Sequence, residues 1–235
     1  MSPYLAEFFG TLLLILLGGG VNAAVSLRKS KSENGGWLMI AIGWGLAVML
    51  AIYAVGSISG AHLNPAVTIA LAINGSFASS LVVGYIVAQF IGAIVGATLV
   101  WLHYLPHWKE TVDPAAKLGV FCNAPAIRNT FTNLVSEIIA TMVLIMALLF
   151  IGANEFTKGL NPIVVGLLII SIGLSLGGTT GFAINPARDL GPRIAHFVLP
   201  IHGKGKSDWS YAWIPVIGPV IGGILGALLY RTLFV

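Results

Sequence analysis

The chain has 235 residues, of which 57% are apolar and only 9% are Asp, Glu, Lys or Arg, and its mean hydropathy is +0.94. Soluble domains average about one quarter charged residues, so a soluble globular domain is excluded. The formal net charge of +4 comes from basic residues that lie mainly between the apolar runs, which indicates loop and headgroup contacts rather than nucleic-acid binding.

Apolar runs of membrane-crossing length recur along the whole chain. Each is close to the roughly 20 residues that a helix needs to cross a bilayer, and they occupy residues 4–25, 37–56, 81–103, 131–152, 161–178 and 211–231. Two shorter runs, 64–74 and 185–197, would rise only about half the thickness of the hydrocarbon core as helices. The sequence therefore predicts an all-α membrane protein with six transmembrane helices and two re-entrant half-helices. The polar segments 104–130 and 198–210 are predicted connectors.

Three short segments of the first half recur in the second half. Residues 6–11 (AEFFGT) match 136–141 (SEIIAT), residues 59–66 (SGAHLNPA) match 180–187 (TGFAINPA), and residues 92–97 (GAIVGA) match 222–227 (GGILGA). The chain is therefore predicted to consist of two repeats, residues 1–130 and 131–235, which together form one domain. Because each repeat holds three spans, an odd number, the second must enter the membrane from the opposite face. Inverted repeats of this kind place their functional site at the repeat interface near the midplane.

An Asn-Pro-Ala triplet begins each predicted half-helix. Asn64 and Asn185 are suited to the N-cap, and Pro65 and Pro186 are suited to the first helical position, where the N–H that proline lacks has no helical partner. Half-helices that enter from opposite faces would meet near the bilayer centre with their positive N-termini facing each other. The two asparagine amides would then offer N–H donors to a passing molecule, and the centre would repel cations.

The segments around the two triplets resemble the major intrinsic protein family, the aquaporins and glycerol facilitators. SGAHLNPAVT at 59–68 and GFAINPARD at 181–189 are similar to the two characteristic motifs of that family, and the resemblance extends along the whole chain. It implies an aquaporin-like fold with one pore in each subunit. Selectivity in such pores depends on diameter, on lining donors and acceptors, and on electrostatic barriers.

An arginine at membrane depth is a candidate functional residue because it is costly unless it faces water or a partner. Arg188 follows the second Asn-Pro-Ala triplet, and the resemblance implies that it forms the narrow selectivity filter. By position relative to the motifs, Trp44, Gly173 and Phe182 match the other filter residues. This combination resembles the glycerol facilitators, since water-selective members typically place His where Gly173 stands. Gly widens the opening, and the two aromatic rings would form an apolar corner opposite the donors of Arg188.

The backbone before each half-helix is predicted to be irregular. Non-helical backbone at membrane depth survives only where it is buried in protein or lines a watery cavity, so its carbonyls would form a row of acceptors along the pore. The predicted contributors are Gly60, Ala61, His62, Gly181 and Ala183.

Two carboxylates occupy equivalent places in the first and fourth spans. Glu7 and Glu137 admit a proton-relay role, but no chain of titratable residues accompanies them, so we favour a structural role in which each accepts hydrogen bonds from the irregular loop of its own half. Asp189 is a further candidate for structural support and, like Arg193, resembles the glycerol branch. His62 admits a role as a pH gate, although a packing role is favoured.

The resemblance implies a passive channel in the plasma membrane that conducts glycerol and other small uncharged polar solutes, with some water, and excludes protons and ions. It also implies a homotetramer in the lipid bilayer. We find no nucleophile and base pair, no phosphate loop and no metal-ligand spacing, so catalysis, a cofactor and a bound metal are not expected.

Two alternative functions and one question of orientation stay open. The alternatives are a strictly water-selective aquaporin, against which Gly173 argues, and an ion-coupled secondary transporter, since inverted repeats with broken helices occur there also. The family topology places both termini in the cytoplasm, whereas the basic residues of the loops favour the opposite orientation under the positive-inside rule. We follow the family topology.

Overall fold

The computed structural model describes residues 1–234, and its regular elements are helices. A 3₁₀ turn at Ser79–Leu81 precedes the fourth helix. The α-helices are α1 (Pro3–Ser26), α2 (Gly36–Ser59), α3 (Pro65–Asn74), α4 (Val82–His103), α5 (His107–Glu110), α6 (Pro114–Phe121), α7 (Thr130–Gly152), α8 (Asn161–Leu176), α9 (Pro186–Val198) and α10 (Ile214–Phe234).

The predicted all-α membrane fold is confirmed, with differences at three places. Helix α8 has 16 residues and rises about 24 Å, less than the roughly 30 Å of the hydrocarbon core. It ends before Gly177, where a Cβ atom would lie 2.5 Å from the Gly173 carbonyl oxygen and 2.6 Å from Phe182 Cδ1. The last span begins at Ile214 rather than 211, after a series of turns, and the connector 104–130 contains the short helices α5 and α6.

The two half-helices begin in the same way and pack on opposite halves of the chain. The side chain of Asn64 accepts a hydrogen bond from Ala66 N, and that of Asn185 accepts from Ala187 N and Arg188 N, so each asparagine is a true N-cap. Helix α3 packs against α10, and α9 packs against α4. Each half-helix therefore rests on the last membrane-spanning helix of the other half, which brings both N-termini to the middle of the molecule.

Glycines allow the closest helix contacts, and they do so at matching places in the two halves. A Cβ atom on Gly92 of α4 would lie 2.3 Å from the Phe8 carbonyl oxygen of α1. A Cβ atom on Gly222 of α10 would lie 2.3 Å from the Ile138 carbonyl oxygen of α7. Both neighbours are backbone atoms that cannot rotate away, so these contacts require glycine, as in other small-residue helix interfaces in membranes.

Replacing Gly92 or Gly222 by Ala is therefore expected to destabilise the folded protein by roughly 1–3 kcal/mol, the range of overpacked sites. The measurement is the thermal unfolding of purified protein in detergent, followed by size-exclusion chromatography. Gly20→Ala on α1 is the matched control, because a Cβ atom there would meet nothing within 4 Å. An unchanged unfolding temperature for both Gly92→Ala and Gly222→Ala would contradict the close contact.

The outer faces of the long helices are apolar and exposed. Five helices are long and apolar enough to cross a membrane, and only 33–44% of the most apolar window of each is buried within the protein. Leu38 on α2 and Val83 on α4 project outward with 60% and 71% of their surfaces exposed. Such extensive apolar surface is incompatible with water, so the protein is a multi-pass membrane protein.

Basic residues of the connectors are held by carbonyl oxygens and acidic side chains. Lys204 Nζ donates to the carbonyls of His196, Phe197 and Leu199 at 2.6–2.8 Å. Its positive charge therefore lies at the C-terminus of α9, where the last carbonyl groups have no hydrogen-bond partner within the helix. Lys117 donates to the carbonyls of His202 and Gly203, and burial lowers its pKa.

Ion pairs join other connectors. Arg28 pairs with Glu33, and Arg128 forms a bidentate pair with Asp208. Lys29 pairs with Glu110, and its hydrogen bond and charge lower the pKa of that carboxyl group. These basic residues of the connectors therefore have partners within the folded protein, and their positive charge is explained without contacts to lipid headgroups.

Candidate functional site

The segments before the two half-helices share an unusual backbone. Gly60, Ala61 and Leu63 have φ values of 80°, 50° and 55°, and the equivalent Gly181, Phe182 and Ile184 have 83°, 43° and 45°. Positive φ is uncommon for residues other than glycine, and for a bulky or β-branched residue such as Phe or Ile it is strained. The same strained pattern recurs in both halves, which indicates that surrounding contacts stabilise it.

Two buried carboxylates supply those contacts. Glu7 accepts hydrogen bonds from Ser59 Oγ (2.6 Å), His62 N (2.9 Å) and Leu63 N (2.7 Å). Gln89 Nε2 adds a fourth hydrogen bond at 2.8 Å. Each carboxylate oxygen is thereby occupied by groups that would otherwise be unpaired inside the protein.

The second carboxylate repeats this arrangement with one bond fewer. Glu137 accepts hydrogen bonds from Thr180 Oγ1 (2.6 Å), Ala183 N (3.0 Å) and Ile184 N (2.9 Å). Both Glu7 and Glu137 are completely buried. The two carboxylates therefore hold the irregular segments from the side away from the cavity that these segments line.

The capping asparagines also bond across the molecule. Asn64 Nδ2 donates to the Ile184 carbonyl oxygen, and Asn185 Nδ2 donates to the Leu63 carbonyl oxygen, both at 2.8 Å. An amide NH₂ group has two N–H donors, and these contacts use one on each side chain. The tips of α3 and α9 are thus joined by a reciprocal pair of hydrogen bonds, with one N–H of each asparagine left over.

A cavity of about 280 Å³ runs beside this junction. Its lining includes both capping asparagines and most of the irregular backbone, and it is predominantly apolar elsewhere. The residues from the irregular segments and the caps are Gly60, Ala61, His62, Leu63, Asn64, Phe182, Ala183, Ile184 and Asn185. Gly181, which was expected among the lining carbonyls, is outside this set and lies against Asn123.

An arginine and two aromatic rings line the same cavity. Arg188 Cζ lies 3.9 Å from the ring centroid of Trp44, and Arg188 Nη1 donates to the Phe121 carbonyl oxygen at 3.1 Å. Arg188, Trp44 and Phe182 are each about 5% exposed. The expectation that both rings lie opposite the arginine is therefore modified, because the guanidinium group stacks on Trp44.

Gly173 leaves space next to Phe182 instead of lining the cavity itself. A Cβ atom on Gly173 would lie 3.0 Å from Phe182 Cζ and 3.1 Å from Ala41 Cβ. A side chain at this position would therefore press on the Phe182 ring and on α2. Trp37 completes the cluster, since its Nε1 donates to the Gly173 carbonyl oxygen at 2.9 Å and its ring packs edge-to-face on Phe182.

Asp189 pairs with Arg193, one helical turn further on, rather than with its neighbour Arg188. Asp189 Oδ1 accepts from Arg193 Nε and Nη2 at 2.9 and 2.8 Å, and both side chains are completely buried. Arg193 also donates to the Ser207, Asp208 and Asn123 carbonyls. The pair therefore ties α9 to two connectors and leaves Arg188 free to face the cavity.

His62 packs in an aromatic cluster. Its ring lies 4.5 Å from Phe77 and 5.0 Å from Tyr85, between centroids, and its Nδ1 is 3.2 Å from Thr68 Oγ1. Tyr85 OH donates to the Ser59 carbonyl oxygen. These contacts support the packing role favoured from the sequence.

The sequence of this chain was compared with those of known protein families. Residues 1–230 match the family described as Major intrinsic protein. The chain belongs to the major intrinsic protein family.

Relatives of this major intrinsic protein align over nearly its whole length. It is 65% identical over 234 residues to the "Probable glycerol uptake facilitator protein" of Thermotoga maritima, with 100% of both chains covered. It is 61% identical to the "Glycerol uptake facilitator protein" of Bacillus subtilis, covering 100% of this chain and 85% of that one. The X-ray structure of the aquaglyceroporin from Plasmodium falciparum superposes with a TM-score of 0.85 at 31% identity, covering 98% of this chain and 95% of that chain.

Sequence reasoning missed several residues that hold the site of this major intrinsic protein. Each bonds to a candidate site residue from a distant part of the chain: Asn22, Trp37, Gln89, Phe121 and Asn123. Phe121 bonds to Arg188 through its carbonyl oxygen and Asn123 bonds to Asp189 through its backbone N–H, and backbone atoms carry no residue-specific signal. A buried Asn or Gln in an apolar helix is a detectable signal, because it needs partners, but the partner cannot be read from one sequence.

Proposed function

We propose that this protein is a passive channel that conducts glycerol and similar small uncharged polar solutes, with some water, and excludes protons and ions. One observation carries the proposal: the caps of both half-helices, Asn64 and Asn185, meet at a cavity that also contains Arg188 and two aromatic rings. The names of the relatives support glycerol as the solute, and the family supports a channel rather than an enzyme.

The proposed selectivity filter consists of Trp44, Gly173, Phe182 and Arg188. Its supporting feature is chemical, since glycerol has a polar side of hydroxyl groups and an apolar side of carbon atoms. Arg188 offers donors and Phe182 offers an apolar surface. Carbon atoms in contact are about 3.5–4.0 Å apart, so a solute does not fit between Arg188 and Trp44 at 3.9 Å. It passes beside the stacked pair, with its carbon chain toward Phe182.

The proposed barrier against cations has two parts. The N-termini of α3 and α9 carry partial positive charge, and the remaining N–H of Asn64 and of Asn185 can donate to a hydroxyl oxygen but cannot accept from a protonated species. Arg188 adds a full positive charge. The backbone carbonyls of Gly60, Ala61 and the other cavity-lining residues accept the hydroxyl hydrogens of the solute.

Stopped-flow light scattering on reconstituted vesicles tests the function. Vesicles with the protein are expected to take up glycerol much faster than empty vesicles, without any ion gradient. Water flux without glycerol flux would support a water-selective aquaporin instead. Uphill uptake driven by a proton or sodium gradient would establish a coupled transporter.

Gly173→His is expected to reduce glycerol passage by roughly tenfold and water passage much less. A Cβ atom at position 173 already lies 3.0 Å from Phe182 Cζ, so the imidazole would push the Phe182 ring into the cavity and narrow the opening. Excluding a solute by one or two carbon-sized contacts costs about 1–3 kcal/mol. The measurement is the ratio of glycerol to water permeability in vesicles. Gly20→His, in open space on α1, is the matched control. Equal loss of both fluxes would show that Gly173 is not part of the filter.

The assembly and setting are also proposals. The matching glycine contacts and the matching strained segments support two inverted repeats, residues 1–130 and 131–235. The family resemblance supports a homotetramer with both termini in the cytoplasm of a cell whose plasma membrane the protein spans. Native mass spectrometry in detergent tests the stoichiometry, and labelling of single cysteines introduced into the connectors tests the orientation.

A further inference from the structure

Trp44 is held by a buried asparagine outside the proposed filter. Asn22, on α1, is 6% exposed and does not line the cavity. Its Oδ1 accepts a hydrogen bond from Trp44 Nε1 at 3.0 Å, and its Nδ2 donates to the Gly119 carbonyl oxygen of α6 at 3.1 Å. Both functional groups of the amide are therefore used, one on the indole and one on the connector helix.

Helix α1 also shapes the space that the indole occupies. A Cβ atom on Gly18, one turn before Asn22, would lie 2.4–2.6 Å from three carbons of the six-membered ring of Trp44. The ring therefore lies directly against the α1 backbone. This contact limits the position of the ring, and the hydrogen bond at Nε1 sets its rotation about χ2, a torsion that has broad minima in aromatic side chains.

The connector helix α6 bonds directly to Arg188 and, through Asn22, is connected to Trp44. Gly119 accepts from Asn22, which holds Trp44, and the Phe121 carbonyl oxygen accepts from Arg188 Nη1. Val120 and Phe121 are buried in the core, so this end of α6 is fixed. Helix α6 therefore fixes the positions of both Asn22 on α1 and the guanidinium group of Arg188, and through them how that group lies on the indole.

We infer that Asn22 is a positioning residue that fixes the Trp44 indole beneath Arg188 and thereby determines which solutes pass. The inference rests on the proposed filter. Without the acceptor, the indole N–H would be buried and unpaired, and the ring would turn toward an acceptor in the cavity. Arg188, which stacks on that ring, would move with it, and the opening would change in shape.

The test compares Asn22→Leu with the wild-type protein in vesicles, using water, glycerol and the four-carbon polyol erythritol. The ratio of glycerol to water permeability, or of erythritol to glycerol permeability, is expected to change by about fivefold, the equivalent of one buried hydrogen bond. Thr11→Val is the matched control, since Thr11 is also buried on α1 and its hydroxyl has no hydrogen-bond partner among residues 1–234. It is expected to keep both ratios.

The same substitution in a Trp44→Phe protein distinguishes a positioning role of Asn22 from a general loss of stability. Trp44→Phe removes the N–H donor, so Asn22→Leu is expected to have little further effect on the ratios when Trp44 is already Phe. If Asn22→Leu does not fold, Asn22→Ala serves the same comparison.

The outcomes distinguish this inference from the proposed function. Unchanged ratios in Asn22→Leu, together with changed ratios in Trp44→Phe, would overturn the positioning role and leave the filter intact. Unchanged ratios in Trp44→Phe itself would overturn the assignment of Trp44 to the filter, and the positioning role with it. An equal loss of all fluxes in both backgrounds would identify Asn22 as a folding residue only.

Discussion

Arg188→Val is expected to increase the leak of protons and small cations on the order of one hundredfold. Arg188 is the charged side chain that lines the cavity, and removing it takes a positive charge away from the path. At about 5 Å and an effective dielectric constant of about 20, Coulomb's law gives a barrier of about 3 kcal/mol, a factor on the order of 10² in rate. The measurement is proton flux into vesicles that contain a pH-sensitive dye.

The control for this prediction replaces a buried arginine that does not line the cavity. Arg193→Lys keeps a positive charge near Asp189 and is expected to leave the ion leak unchanged if the protein folds. Glycerol flux measured in parallel shows whether the Arg188→Val channel is open. An open channel with no added leak would mean that the N-termini of α3 and α9 provide nearly all of the exclusion.

Glu137→Leu is expected to destabilise the folded protein by roughly 3 kcal/mol or more. Three donors, Thr180 Oγ1, Ala183 N and Ile184 N, would lose their acceptor inside the protein, and each unpaired buried donor costs about 1–3 kcal/mol. Phe182 and Ile184 would also lose the contacts that hold their positive φ values. The measurement is the unfolding temperature of detergent-purified protein, together with its yield from the membrane.

Glu155→Leu is the matched control, because Glu155 is exposed in the connector between α7 and α8 and forms no ion pair with the rest of residues 1–234. It is expected to unfold at the wild-type temperature. A Glu137→Leu protein that folds and conducts normally would contradict the supporting role, and it would show that the irregular segment is stable without the carboxylate.

Much of the fold was predictable because a bilayer restricts the choices. In lipid, every backbone polar group must be satisfied inside the protein, and a helix does this within one segment. Apolar runs of about 20 residues therefore indicate helices, and runs of ten to thirteen residues beginning with Asn-Pro indicate half-helices. The bounds of α3 and α9 follow from their caps. The sequence predicts helix α8 two residues too long. Gly177, which follows its last residue, lies so close to Phe182 and Trp37 that a Cβ atom would not fit there, and these neighbours cannot be identified from the local pattern of apolar residues.

The resemblance to a family indicated the residues of the proposed filter, whereas the sequence by itself determined the apolar runs, the two capped half-helices and the internal repetition. Those features depend on local patterns: hydrophobic length, capping preference and recurrence. Sequence alone could not determine that Arg188 stacks on Trp44, that Asn64 and Asn185 bond to each other's repeat, or that Asn22 and Phe121 hold the stacked pair. These contacts join residues from 22 to 144 positions apart, and only the packing of helices that are distant along the chain brings their atoms within hydrogen-bond distance.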